Sequence, residues 1–261
     1  MEYWHKQDKT NPLFADLIWS RPEHAKLAGK LNIVGGNVHS FSRPALAYSE
    51  SLQAGIGAAK VLLPDVLSKT VNKVFPGSEY APSTPSGSFS RLALSNALTL
   101  CEWADATLLA GDFGRNSETA IMLEQLVLKY AGVLGITSDA LDYFTKSPSL
   151  ILSRDKTLLV LSFAQLQKIA MNSKFVNAFT FDMDFLRLIT LLHEFTSINK
   201  VILVLKHLDT YFVAYEGKVS TTKVDQDAKA WRVKTAAHSI VWWLQNPAKP
   251  FEAISSSIVN I

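Results

Sequence analysis

Two glycine-bearing turns carry most of the chemistry this sequence could do. Gly35-Gly36-Asn37 follows the apolar run Leu31 to Val34, and Gly111-Asp112-Phe113-Gly114-Arg115 follows the run Ala106 to Ala110. Glycine at such a point lets the chain turn tightly and bring backbone amides close to a ligand. Two amide sites at strand ends are a more specific signal than either alone, and both suit an anion. Arg115 adds a fixed fork of donors for an anionic ligand, or is a solvated surface arginine. Asp139, just past the apolar run Val133 to Ile136, reads as an acid, a base or the cap of the next turn. Lys206 ends another apolar run shortly before Asp209 and Thr210, where an ammonium and a hydroxyl could meet phosphate oxygens; an edge-strand lysine is the plainer reading. No metal set is expected, because no two of the six histidines stand at i, i+4 and there is one cysteine. A Walker phosphate loop and the dinucleotide glycine fingerprint are both absent.

The elements that must position these residues follow from periodicity. Leu108 to Tyr143 reads as strand, helix, strand. A helix beginning at Ser117, capped by that hydroxyl and with Glu118 in its first turn, buries Ile121, Leu123, Leu126, Val127 and Tyr130. Ligands bind at the carboxyl ends of strands in open parallel sheets, which is where both glycine turns and Asp139 fall. Around this unit the pattern predicts an irregular N-terminal arm over residues 1–29, a strand Leu31 to Val34, a helix Pro44 to Ala59 and a strand Lys60 to Leu63. A short helix Val66 to Val74 follows, then a long exposed loop from Pro76 to Ser90 and a helix Arg91 to Trp103. Beyond the central unit come a strand Leu150 to Ser153, helices Phe163 to Met171 and Met183 to Thr196, and a strand Lys200 to Lys206. A hairpin of Tyr211 to Tyr215 with Val219 to Thr222 turns at Glu216-Gly217. Helices Ala230 to Gln245 and Pro250 to Ile261 complete the chain.

At 261 residues and 48% hydrophobic content the chain suits one α/β domain with a sizeable core. A net charge of +3, spread rather than clustered, implies neither nucleic acid nor a membrane surface as partner. Cys101 reads as core packing in a reducing compartment. Without a long uncharged apolar run or a signal-peptide core, a soluble cytoplasmic protein is expected.

The serial order of these segments resembles the ADP/ATP-dependent NAD(P)H-hydrate dehydratases of the ribokinase-like fold, which use nucleotide hydrolysis to dehydrate damaged nicotinamide cofactors. Ile33-Val34-Gly35-Gly36-Asn37 is similar to the family's opening Gly-Gly-Ser turn. Gly111 to Arg115 is similar to its Gly-Pro-Gly-Leu-Gly-Arg loop, one residue shorter, and Thr137-Ser138-Asp139-Ala140-Leu141 to its Asp-Ala-Asp-Ala-Leu turn. Lys206-His207-Leu208-Asp209-Thr210 keeps the lysine and threonine of a nucleotide-contacting Lys-Gly-x-x-Thr element. The likeness spans about Leu31 to Val259. It implies a single three-layer α/β/α sandwich over 1–261 with a mostly parallel sheet and an antiparallel edge hairpin. It also implies ATP or ADP with Mg2+ as cofactor, a nicotinamide nucleotide as partner, and a homo-oligomer.

The departures are as informative. After the Ile151 to Ser153 run nothing matches the family's Thr-Pro-His-Pro-Gly-Glu. Its anion hole and catalytic base, Thr-Gly-Gly-Ser-Gly-Asp at a helix start, align with Val233 to His238, where all three glycines are replaced and the aspartate becomes His238. The imidazole could take a proton near neutrality, or pack in the core beside Trp242. A pseudoenzyme is therefore expected over a catalytic hydro-lyase or kinase, and the two diverge on whether a helix runs unbroken through Lys234 to His238.

Overall fold

The computed structural model describes residues 1–71, 77–224 and 230–261. Among the described residues ten strands form one sheet: β1 (Trp4–Gln7), β2 (Lys30–Gly35), β3 (Ala58–Pro64), β4 (Ser78–Ala81), β5 (Ala106–Gly111), β6 (Val133–Thr137), β7 (Thr157–Leu161), β8 (Ile202–His207), β9 (Thr210–Tyr215) and β10 (Lys218–Lys223). Their order is β1-β10-β9-β8-β7-β6-β5-β2-β3-β4. Only β9 breaks the parallel direction, pairing antiparallel with both β8 and β10. Among the described residues seven α-helices of two or more turns cover the faces: α1 (Ser42–Gln53), α2 (Leu94–Trp103), α3 (Ser117–Lys129), α4 (Phe163–Met171), α5 (Phe185–Ile198), α6 (Trp231–Gln245) and α7 (Pro250–Val259).

The central strands are apolar on both sides, as a sheet covered by helices on both faces demands. Leu109, Ile136, Leu159 and Leu203 point into one core with α2 to α5. Leu108, Val160, Ile202 and Val204 point into the other with α1, α6 and α7. This is the expected three-layer sandwich with the antiparallel hairpin at the expected residues, although the hairpin is not the edge of the sheet because β1 pairs beyond β10. No helix among the described residues is long and apolar enough to cross a membrane.

Five expectations need correction. The N-terminal arm is not wholly irregular: Trp4 to Gln7 add a parallel edge strand beside Val219 to Thr222. Side chains hold it there, Trp4 Nε1 donating to Thr221 Oγ1 at 2.9 Å and Gln7 Nε2 to Thr222 Oγ1 at 2.9 Å, and this left no apolar alternation to read. The helix expected to reach Ala59 stops at Gln53, since Gly55 turns the chain at φ 83 and Ala58 and Ala59 already pair with Lys30 and Leu31 in the sheet. The exposed loop at 76–90 is partly wall instead: Ser78 to Ala81 form β4, and Phe89 is fully buried with its carbonyl accepting from Thr119 Oγ1 at 2.7 Å. Pro76 and residues 72–74 of the expected short helix lie outside the described residues, while 65–71 are helical turns. The run Leu150 to Ser153 is a helical turn (Ser149–Leu152), and the strand is Thr157–Leu161. Between them Arg154 ties the bend down, donating to Gly132 O at 2.6 Å and Thr157 Oγ1 at 2.9 Å. Finally, α3 is capped by Asn116, whose side chain accepts from the amides of Glu118 and Thr119, and Ile121 faces solvent.

Candidate functional site

The two glycine turns meet at the carboxyl ends of β2 and β5. Gly36 N donates to Gly111 O at 3.0 Å and Asn37 Nδ2 to Asp112 O at 2.6 Å. Contact this close requires glycine: a Cβ on Gly35 would stand 2.4 Å from Gly111 O. Gly111 itself has φ +114, and a Cβ there would lie 2.7 Å from Asp139 Oδ1.

Asp139 lies at the centre of this junction. β6 delivers it through Ser138, which holds φ 57. Its Oδ1 accepts from Asp112 N at 2.7 Å, and its Oδ2 from Phe113 N at 2.9 Å and Gly114 N at 3.2 Å. Arg43 Nη1, from the first turn of α1, donates to Oδ1 at 2.8 Å. The amides of the second glycine turn are thus filled by a carboxylate of the protein itself. Asp112 is drawn into the same cluster. Its Oδ2 accepts from Ser40 Oγ at 2.8 Å, Ser42 Oγ at 3.2 Å and Arg43 N at 2.9 Å, and its Oδ1 lies 3.3 Å from Arg43 Nη1.

A second set of contacts carries this network toward α4 and α6. Ser162 and Gln165 form a capping box at the start of α4. Gln165 Nε2 donates to Ser138 O at 2.7 Å and Asp142 Oδ1 at 2.9 Å, and its Oε1 accepts from Arg232 Nη1 at 2.9 Å. Burial pushes the Arg232 guanidinium below the usual arginine value, with the like charge of Arg43 as the next cause. Tyr143 donates to Gly114 O at 2.7 Å, and burial raises its phenol above the ordinary tyrosine range. Beside this network opens a groove of about 780 Å3, lined by Gly114, Arg115, Asp139, Asp142, Lys146 and Lys168 among others.

The structure therefore brings Gly35, Gly36, Asn37, Gly111, Gly114, Arg115 and Asp139 together. Lys206 and Thr210 share the same sheet edge but sit three and four strand positions from β5, on β8 and β9. There Lys206 Nζ stands 5.7 Å from the Tyr211 ring centre, and Thr210 donates to Asp209 Oδ1 at 3.1 Å. Next to them burial against Phe163 and Phe181 lowers the His207 imidazole below its ordinary value.

His238 is elsewhere. α6 runs unbroken from Trp231 to Gln245, so His238 lies seven residues into it, about 10 Å from its start. The imidazole is buried against Glu50 of α1, Nδ1 standing 3.5 Å from Oε1, and stacks near Trp242. The helix start, where amides are free, falls at Trp231, two residues before the Val233 to His238 segment set against the anion hole, and residues 225–230 before it contain no glycine.

Sequence reading missed Arg43, Asp142, Gln165 and Arg232. Only Gln165 carried a usable signal, the Ser-x-x-Gln spacing of a capping box, masked by placing the strand at Leu150 to Ser153. A larger cleft of about 910 Å3 opens at the opposite edge of the sheet, around the first residues of β6, β7 and β8, with Tyr215 and Trp243 on its wall. It holds none of the expected site residues.

Comparison with known proteins agrees with the fold. No family model matches the chain. A stretch of 81 residues is 30% identical to the ADP-dependent (S)-NAD(P)H-hydrate dehydratase of Natrialba magadii, covering 31% of this chain and 31% of that relative, so the match spans about a third of its length. In three dimensions the chain is similar to a ribokinase-like superfamily protein from Enterococcus faecalis, with a TM-score of 0.73 and 13% identity over 99% of this chain and 86% of that one. It is also similar to the ADP/ATP-dependent NAD(P)H-hydrate dehydratase of Bacillus subtilis, co-crystallised with ATP and Mg2+, with a TM-score of 0.65 and 12% identity over 95% and 86% of the two chains. The fold is ribokinase-like, and over 81 residues the sequence is similar to a dehydratase of the kind that the motifs resemble.

Proposed function

We propose that this chain is a relative of the NAD(P)H-hydrate dehydratases that retains adenine-nucleotide binding and has lost the dehydration step. The observation that carries the loss is the state of its two candidate bases. His238 is sealed between α1 and α6 with Glu50, and both oxygens of Asp139 are engaged by three amides and Arg43. Neither has a lone pair directed at a ligand in the groove, and a general base must reach the proton it removes.

Nucleotide binding is supported by the donor set. The amides of the Gly111 turn fit no phosphate while Asp139 holds them, so the phosphates would be held by side-chain cations instead. Arg115, Lys146 and Lys168 line the groove, and Arg232 donates to Gln165, which in turn donates to Asp142 of the groove. Arginine and lysine are both suited to phosphate oxygens. Mg2+, accompanying the nucleotide, would neutralise its phosphates, and of the two groove aspartates Asp142, which accepts from Gln165 where Asp139 accepts from three amides and Arg43, is the one that would serve as its ligand. Assembly into a homo-oligomer and a nicotinamide nucleotide as second ligand belong to the same proposal.

The second reading is an active hydro-lyase or small-molecule kinase with a remodelled site. It would draw on Asp142, which lines the groove with its Oδ1 in contact with Gln165.

One pair of measurements decides. Thermal unfolding with ATP or ADP and Mg2+ should show a rise in Tm, since a ligand that binds only the folded state stabilises it by about 2.7 kcal/mol at a hundred times Kd. Recovery of NADH from hydrated NADH with the same nucleotides should not exceed the protein-free blank. Turnover abolished by Asp142→Asn would establish the active reading, and no Tm shift with either nucleotide would remove the binding.

A further inference from the structure

α1 and α6 lie side by side on one face of the sheet, and each begins at the site. Arg43 is in the first turn of α1 and Arg232 in the first turn of α6. Both guanidiniums face the Asp139 and Asp142 cluster, and the charge of Arg43 is one of the causes that lower the Arg232 pKa. Each guanidinium has carboxylates beside it, Arg43 those of Asp139 and Asp112 and Arg232 the charges of Asp142 and Asp139, so the distance between the two arginines follows the spacing of the helices that carry them.

About two turns down each helix is a buried contact of opposite sign. His238 Nδ1 stands 3.5 Å and Lys234 Nζ 3.8 Å from the Glu50 carboxylate, whose side chain is 9% exposed, as is that of His238. The His238 imidazole first, and Lys234 after it, hold the Glu50 carboxyl below the usual carboxylate range against the opposing effect of burial. Neither imidazole nitrogen has an aligned hydrogen-bond partner, and on the same stripe of α6 the Thr235 hydroxyl and the Trp242 indole N–H are also buried without one. The polar part of this contact is therefore an ion pair without aligned hydrogen bonds, set among buried apolar residues such as Ala47 of α1 and Val233 and Ala237 of α6. Among the described residues, the charged groups facing it are Glu50 from α1, Lys234 from α6, and Arg21 from the N-terminal arm, whose guanidinium lies 4.7 Å from the Trp242 ring centre.

We infer that the His238–Glu50 contact is a proton-dependent brace that sets the spacing of Arg43 and Arg232 across the site. With the imidazole protonated, Glu50 is paired across the helix interface. With it neutral, Glu50 keeps the partly exposed Lys234 at 3.8 Å, and the attraction holding α1 to α6 behind the two arginines is weaker. His238 and Glu50 are positioning residues in this arrangement, acting through the helices that carry the arginines. The inference rests on the site reading above only for its consequence, a pH-dependent grip on a phosphate-bearing ligand.

The test needs no ligand. In the full-length protein, Nε–Hε resonances of Arg43 and Arg232 and the imidazole resonances of His238 are followed by NMR from pH 5.5 to 8.5, the range in which histidine charge changes. The arginine signals should move together with the imidazole in one transition. In Glu50→Gln, nearly isosteric, the arginine signals should stay flat across the same range, whether or not the imidazole still titrates. Arginine signals that stay flat in the wild type while His238 titrates would overturn the brace, as would an imidazole that does not change protonation across this range. Because no nucleotide is added, failure here is distinct from failure of nucleotide binding, which the thermal shift with ATP or ADP reports separately.

Discussion

Replacing Asp139 with alanine tests the central claim about the site, that its carboxylate is the internal occupant of the Gly111 turn. The substitution removes the acceptor of three backbone amides, at 2.7, 2.9 and 3.2 Å, and the partner of Arg43 at 2.8 Å. A buried donor left without an acceptor costs about 1–3 kcal/mol. The Asp139 side chain is 24% and that of Arg43 36% exposed, so water can reach part of the cluster and the full figure for each group does not apply. A total of about 3–4 kcal/mol follows, and at about 2–4 °C per kcal/mol for a chain of this size the Tm should fall by about 10 °C. Asp139→Asn keeps one acceptor oxygen but places an amide donor against the turn, and should lose somewhat less. Formate, which can place a carboxylate among the freed amides, should raise the Tm of the alanine variant and leave the wild type unchanged. Differential scanning calorimetry with and without formate is the assay. A Tm for Asp139→Ala within about 2 °C of wild type would refute the idea that the carboxylate organises the turn.

Other expectations follow from single contacts. Gly35→Ala should destabilise by several kcal/mol or fail to accumulate as folded protein, because its Cβ would meet a rigid backbone oxygen at 2.4 Å; urea unfolding measures it. Glu50 has a folded pKa below its ordinary 4.5, so its contribution to stability is present above that value and disappears as pH falls through the lowered one. The Tm of Glu50→Gln should accordingly be lower than that of wild type near neutral pH, with the two converging in acid; a gap that widens on acidification contradicts this sign. Arg154→Ala should lower the urea midpoint, since the guanidinium holds the carbonyls of Tyr130 and Gly132 at the end of α3 and its own pKa is depressed chiefly by burial; an unchanged midpoint would mean that water replaces it without cost.

The sequence by itself determined the layers and the edge at which the site lies. Strands buried on both faces must be continuously apolar, so Ala106 to Ala110, Val133 to Ile136 and Lys200 to Lys206 announced themselves, and glycines next to them marked where backbone approaches backbone. That logic located Gly35, Gly36, Gly111 and Gly114 and the segment that carries Asp139. It failed where the decisive partner is remote in the chain. β1 is an edge strand held by hydrogen bonds to Thr221 and Thr222, more than 200 residues away, and Phe89 is buried in a segment whose prolines and glycines read as surface. Asp139 could be read as base or cap, and only the fold shows three amides and Arg43 of α1 closing on it. His238 was legible as a group able to carry a proton, yet its place depends on where α6 begins and on Glu50 lying opposite it, some 190 residues earlier in the chain. Periodicity is a local property of the chain, whereas the protonation and reach of a side chain are set by what tertiary packing places within a few ångströms of it.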